Sequence, residues 1–178
     1  MFVEPVRIFA EALKDATYGV NIRLPSVPRD SGDAPPPAIV DAHIIEETED
    51  GLVGLDRLPG VFPCLLVSLL PGTARPNEAI TWVGDAESAV RITYGSKQTD
   101  PALARQDAGY TLRAAVKVLQ WLMGGTAAAE AKLLRNLVQL YGMETVAFGG
   151  LYVPVKDAVL TGTLITKYRV RDTWNGEP

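Results

Sequence analysis

Apolar residues return every third or fourth position in three stretches of the chain and every second position in several others. Val6, Phe9, Ala10 and Leu13 fall at i, i+3, i+4 and i+7, with Arg7, Glu11 and Lys14 between them, which predicts an amphipathic helix. Pro5 sits near its start, where no helical N–H is missed, and Gly19 ends it. A longer helix is expected from about Ala102 to Met123. Ala108, Leu112, Ala115, Leu119 and Leu122 form its apolar face, Gln106, Arg113, Lys117 and Gln120 its polar stripe, and Gly124-Gly125 its stop. A third, extra helix is expected within 126–142, from about Ala127 to Tyr141. It would bury Ala131, Leu134, Val138 and Tyr141, with Gly142 as a left-handed C-cap.

The two-residue period predicts strands. Val20 to Leu24 is a short one, and Ile39 to Thr48 places Val40, Ala42 and Ile44 on one face against Asp41, His43 and Glu47. Leu65 to Leu70 is almost continuously apolar, as a strand covered on both faces should be. Val90, Ile92 and Tyr94 alternate with Arg91 and Thr93 in the next. Thr145 to Val153 and Val159 to Val170 close the chain, the last with Leu160, Leu164, Tyr168 and Val170 on one side. Two loop excursions interrupt this series. One is the proline-rich 25–37, which cannot join a sheet interior; the other is 71–85, containing "PGTARPNE". The expected fold is a single α+β domain over 1–178, an antiparallel or mixed sheet with about three helices packed on it.

Composition narrows the function classes. With 178 residues and 47% hydrophobic content the chain can fill one ordinary core. A net charge of −4 argues against a general nucleic-acid binder, which needs a basic patch. The first residues lack a cationic start and an unbroken apolar run, so no secretory signal is expected. The run from Val61 to Leu70 is broken by Pro63 and is shorter than the roughly 20 residues of a membrane helix. A single cysteine excludes an internal disulfide, and the expectation is a soluble protein made in a reducing compartment.

Candidate chemistry is sparse. His43, with Asp41 and Glu47, could contribute to a metal site, but Zn²⁺ takes three or four N or S ligands and plain surface polarity explains the trio better. "TYGSK" and "LMGGT" match neither the phosphate-loop spacing nor the dinucleotide fingerprint, and no G-x-S-x-G exposes a serine. Cys64, between Pro63 and Leu65, reads as a buried inert thiol. No catalytic, metal or cofactor residues are assigned. Two surfaces remain. The acidic run with Glu46, Glu47, Glu49 and Asp50 could be a solvated strand end or a wall that repels anions. The long helix carries Ala114, Val118 and Trp121 beyond its apolar stripe, so either a second internal layer or another subunit must cover them.

The order of elements resembles a known family. An amphipathic first helix, a short strand and loop, central strands ending in "AVRITYG", the linker "SKQTDPALARQDAGY", the helix "TLRAAVKVLQWL" and the strand "GTLITKYRVRD" are similar to the tail terminator (tail completion) proteins of long-tailed bacteriophages and related tail-like particles. The resemblance spans most of the chain and rests on pattern, with no signature motif. It implies a structural virion protein, not an enzyme, that forms a hexameric ring capping the tail tube and joining it to the head-side connector. Its expected partners are its own copies, the tail tube protein and the connector or stopper protein. It would be assembled in the host cytoplasm and located in the virion tail or neck, without membrane contact. Ala114, Val118 and Trp121 are then the candidate subunit interface. The four acidic residues become the candidate channel lining, past which DNA moves without specific binding. Alternative readings are a head-completion or stopper neck protein, a non-viral α+β ligand-binding module, and a hydrolase using His43.

Overall fold

The computed structural model describes residues 4–47, 62–70, 85–124, 138–155 and 158–172. Helix α1 spans Glu4–Leu13 and buries not only the expected Val6, Phe9, Ala10 and Leu13 but also Ile8 and Ala12. Of the helix residues whose burial is described, Arg7 and Glu11, one turn apart, stay exposed. The chain then winds through a tight turn in which Asp15 Oδ1 accepts hydrogen bonds from the N–H of Thr17 and Tyr18 at 2.8 and 3.0 Å.

Val20 to Leu24 is not the strand that alternation predicts. Val20–Arg23 forms a helical turn, α2, and Leu24–Ser26 continues it as 3-10 helix. The buried positions are Val20, Leu24 and Val27, a helical spacing, whereas Ile22 is 51% exposed. Residues 27–40 have no regular structure, in keeping with their prolines. They nevertheless do not reach outward as an arm. Asn21 clasps both backbone groups of Ile39, donating to its carbonyl at 2.6 Å and accepting from its N–H at 2.9 Å. That clasp also delays the next strand. With the polar groups of Ile39 spent, Asp41–His43 is a 3-10 turn and strand β1 is confined to Ile44–Glu47, leaving Val40 58% exposed.

Strands β2 (Cys64–Leu69), β3 (Asp85–Ser96), β4 (Val138–Val155) and β5 (Ala158–Asp172) complete a five-stranded sheet in the order β1-β2-β3-β5-β4. β1 and β2 are parallel and every other pairing is antiparallel, so the sheet is mixed and the class is α+β. Val138 to Tyr141, expected to end the third helix, instead pair with Asp172 to Arg169 of β5. The rest of that predicted helix lies outside the described residues. Short apolar runs fit both periods, and here an available strand partner decides. Of the excursion 71–85, only Asp85 is described, as the first residue of β3.

Helix α3 spans Pro101–Leu122. Asp100 caps it, its side chain accepting from Ala102 N at 2.8 Å and Leu103 N at 3.4 Å, and Pro101 supplies a first turn that lacks one donor anyway. Together with α1 it covers one sheet face. Leu65 and Val67 of β2 join that core, while Cys64 and Leu66 turn to the opposite face, as a doubly covered strand requires.

A β-bulge changes which residues meet the helix. Tyr94 pairs with Gly162 but Gly95 pairs with Leu160, so Thr161 is the extra residue. Thr161 Oγ1 donates to Ala104 O of α3 at 3.1 Å, and Gly162 faces the same helix. Leu160 and Leu164, expected on one side, therefore lie on opposite faces. Leu164 is in the main core and Leu160 beside Cys64 and Leu66. A Cβ on Gly162 would come within 2.8 Å of Ala108 Cβ and 2.9 Å of Leu112 Cδ1. Gly162→Ala should therefore push α3 off the sheet and destabilise the protein by about 1–3 kcal/mol, measurable by denaturant unfolding.

Candidate functional site

The extra apolar side of α3 is closed from within. Ala114 and Val118 are fully buried, and α2 with the 3-10 turn after it packs on this helix. Trp121 is half-buried and stacks on Tyr18, ring centroids 4.4 Å apart and planes 11° off parallel. Arg23 lies over the other partner, 5.2 Å from the Tyr18 centroid. Within the chain the α2 segment packs over Ala114 and Val118, and Tyr18 stacks on the half-buried Trp121.

The proline-rich loop adds to that layer. Tyr110 of α3 donates its hydroxyl to Asp33 and accepts from Asp30 N at 3.3 Å, and Lys117 donates to Ser26 O. The loop thus lies tied along α3 by side chains that periodicity alone labels as surface.

Of the acidic run, Glu46 sits on β1 with its carboxylate 3.9 Å from the Lys14 ammonium, so part of its charge is answered within the chain. Glu47 is the last residue of β1, while Glu49 and Asp50 lie outside the described residues. His43 is half-buried with Nδ1 3.1 Å from the carbonyl of Pro63, which ties the turn before β1 to the segment entering β2. Cys64 is fully buried, and that burial pushes its thiol up to about 12, outweighing the lowering effect of a hydrogen bond from the Gly95 backbone.

Periodicity did not single out the cleft of about 370 Å³ where β3 leaves the sheet and β2 enters it. The proline loop forms one wall with Ala34, Pro35 and Pro37, and Phe62 and Pro63 form another. Ser96, Lys97 and Gln98 line the β3 side; Leu103, Gln106 and Asp107 line the α3 side. Asp107 is half-buried and has neither a hydrogen bond nor an ion pair among the described residues, and burial raises its carboxyl pKa. Tyr94, whose hydroxyl is buried and has no hydrogen-bond partner of ordinary geometry among the described residues, feels the charge of Asp107. Burial first, and the charge of Asp107 second, push its pKa up. Ser96 lies close enough to oppose that slightly without bonding in ordinary geometry. The Ser96 hydroxyl instead accepts from Gln98 N at 3.2 Å. One sequence signal points here: Asp107 falls three residues after Ala104 and four before Thr111, a carboxyl within the period of a buried helical face.

An acid whose folded pKa is raised destabilises the protein at any pH where it must ionise. Asp107→Asn should therefore raise the melting temperature at pH 7 by a small margin, since the group is partly solvated. The gain should shrink as pH falls through the raised folded value and vanish below the ordinary aspartate range. Tyr94, which shares that surrounding and whose pKa is pushed up, stays neutral throughout that window. Thermal melts of both proteins from pH 3 to 7 check this.

No family model matches the chain, and no curated protein matches it.

Proposed function

We propose that the chain is a tail terminator: a structural virion protein whose copies close into a six-membered ring on the end of a tail tube. The resemblance in element order supplies the family. The observation that carries the reading is the outer edge of the sheet. Among the described residues, β4 is 18 residues long and ends the strand order, whereas the opposite edge strand, β1, has four residues. A long edge presents a row of unpaired N–H and C=O groups, a hazard in a lone molecule and a template for pairing in an assembly. The two dissimilar edges also suit cyclic closure, in which each subunit offers one surface to one neighbour and a different surface to the other.

Gly149 supports the same edge. It is exposed in β4, and a Cβ built there meets no atom within 4 Å. Glycine within a strand weakens it and commonly marks a place where another backbone comes close. With the apolar side of α3 occupied by α2, this edge is the surface that the proposal assigns to the neighbouring copy.

In this reading the acidic run Glu46, Glu47, Glu49 and Asp50 serves as a channel wall. Repeated around the ring, like charge keeps passing DNA from adhering over a range of about 8 Å at physiological salt. Mixing the protein with purified tail tubes tests the function. Electron micrographs should show it at one end of each tube and nowhere along the sides; side decoration, or tubes left bare, would overturn the proposal.

A further inference from the structure

The cleft between β3 and α3 has a use that ring formation does not require. Its volume of about 370 Å³ falls in the lower range of small-molecule sites, and its walls combine apolar surface with a few polar groups facing one another. Its Asp107 carboxyl is partly desolvated and has no partner of opposite charge among the described residues. Native structures rarely leave a sequestered carboxylate without a donor or cation, because that arrangement costs solvation and returns nothing. The second observation is independent. The Tyr94 hydroxyl is buried, has no hydrogen-bond partner of ordinary geometry among the described residues and lies near enough to feel the charge of Asp107, so it is a donor that the carboxylate could accept once held in its charged state.

The charge that a ligand must carry follows from these groups. An anion would meet Asp107, and the N-terminal amides of α3, which might otherwise receive it, are already taken by Asp100. A cation would find both the Asp107 carboxylate and the Phe62 side chain among the cleft walls, and aromatic rings attract cations. Pro35, Pro37 and Leu103, which is 45% exposed, offer apolar surface to an alkyl stem behind the charge. Lys97 lines the mouth but makes no ion pair with Asp107, so no described cation fills the position.

We propose that this cleft binds an organic cation, an ammonium or guanidinium on an apolar stem, with Asp107 as its counter-ion and Phe62 with the loop prolines as its wall. Tyr94 acts through Asp107 as a positioning residue. The same chemistry is carried by a free alkylamine and by a lysine or arginine side chain of a protein partner.

Calorimetric titration of the full chain with butylammonium, methylguanidinium, neutral butanol and the short peptides acetyl-Gly-Lys-Gly-amide and acetyl-Gly-Arg-Gly-amide separates these sources. The cations should bind and butanol should not. A peptide that binds at least tenfold tighter than the free cations identifies a side chain as the source, and the reverse order identifies a small amine. Asp107→Asn should weaken binding roughly tenfold or more while the circular dichroism spectrum stays native. Tyr94→Phe should weaken it about threefold without loss of thermal stability, an outcome that a purely structural tyrosine would not give. Lys97→Gln, which removes a competing cation at the mouth, should raise affinity for the cations, and a loss of affinity would count against the assigned charge. Equal affinity in Asp107→Asn, equal binding of butanol, or no heat from any cation would overturn the proposal. None of these outcomes depends on whether rings form.

Discussion

Replacing Gly19 by alanine should lower the unfolding free energy by about 3 kcal/mol, the upper end of what overpacking costs. The cause is the turn that joins α1 to α2. A Cβ at position 19 would lie 2.3 Å from Asp15 O and 2.6 Å from Leu13 O, both backbone atoms that no rotamer change can move aside. The turn itself is fully employed. Gly19 N donates to Asp15 O at 2.8 Å, and Gly19 O accepts from both Ile22 N and Arg23 N at 3.1 Å. Opening it would also shift Tyr18 away from Trp121 and lift Val20 from the core. In a chain of 178 residues that cost corresponds to a fall in melting temperature of roughly 6–12 °C. A melt within a degree of the parent would mean that the turn is not wound this tightly.

Gly149→Lys should do the reverse, leaving the fold intact and abolishing assembly. Nothing within 4 Å opposes a side chain there, and lysine on an exposed edge strand is a common natural guard against sheet-to-sheet pairing. Its melting temperature in dilute solution should match the parent's. In the ring, each repeated contact would have to desolvate an unpaired ammonium, weakening association by about a hundredfold or more per contact. Sedimentation should find single chains where the parent gives closed rings. Rings that form undisturbed in this variant would remove β4 from the interface.

These two glycines illustrate what was legible in the sequence. Both α1 and α3 could be read from the three-to-four spacing of their apolar residues, and β2 from its unbroken apolar run. The errors arose where tertiary contacts overrule local pattern. Val20 to Leu24 is rich in branched residues, yet the Asp15 turn and Pro25 set it as helix. Ile39 and Val40 look like a strand start, but Asn21, 18 residues earlier, takes the backbone groups of Ile39. Val138 to Tyr141 fit a helix until β5 supplies a ladder.

Pattern also records that a surface is apolar without recording what covers it. Ala114, Val118 and Trp121 stand out correctly from the main stripe of α3, and their cover proves to be the chain's own α2 segment. The cleft was the hardest feature to foresee. Its walls come from residues 34–37, 62–63, 96–98 and 103–107, and only the sheet order brings these segments to one place. Asp107 alone left a trace, as a carboxyl within an apolar period.

The ring is tested most directly by native mass, measured over rising concentration and again after tail tubes are added and released. A species of six times 19.2 kDa, imaged as an annulus, is the predicted result. A particle of one chain's mass under both conditions would contradict it.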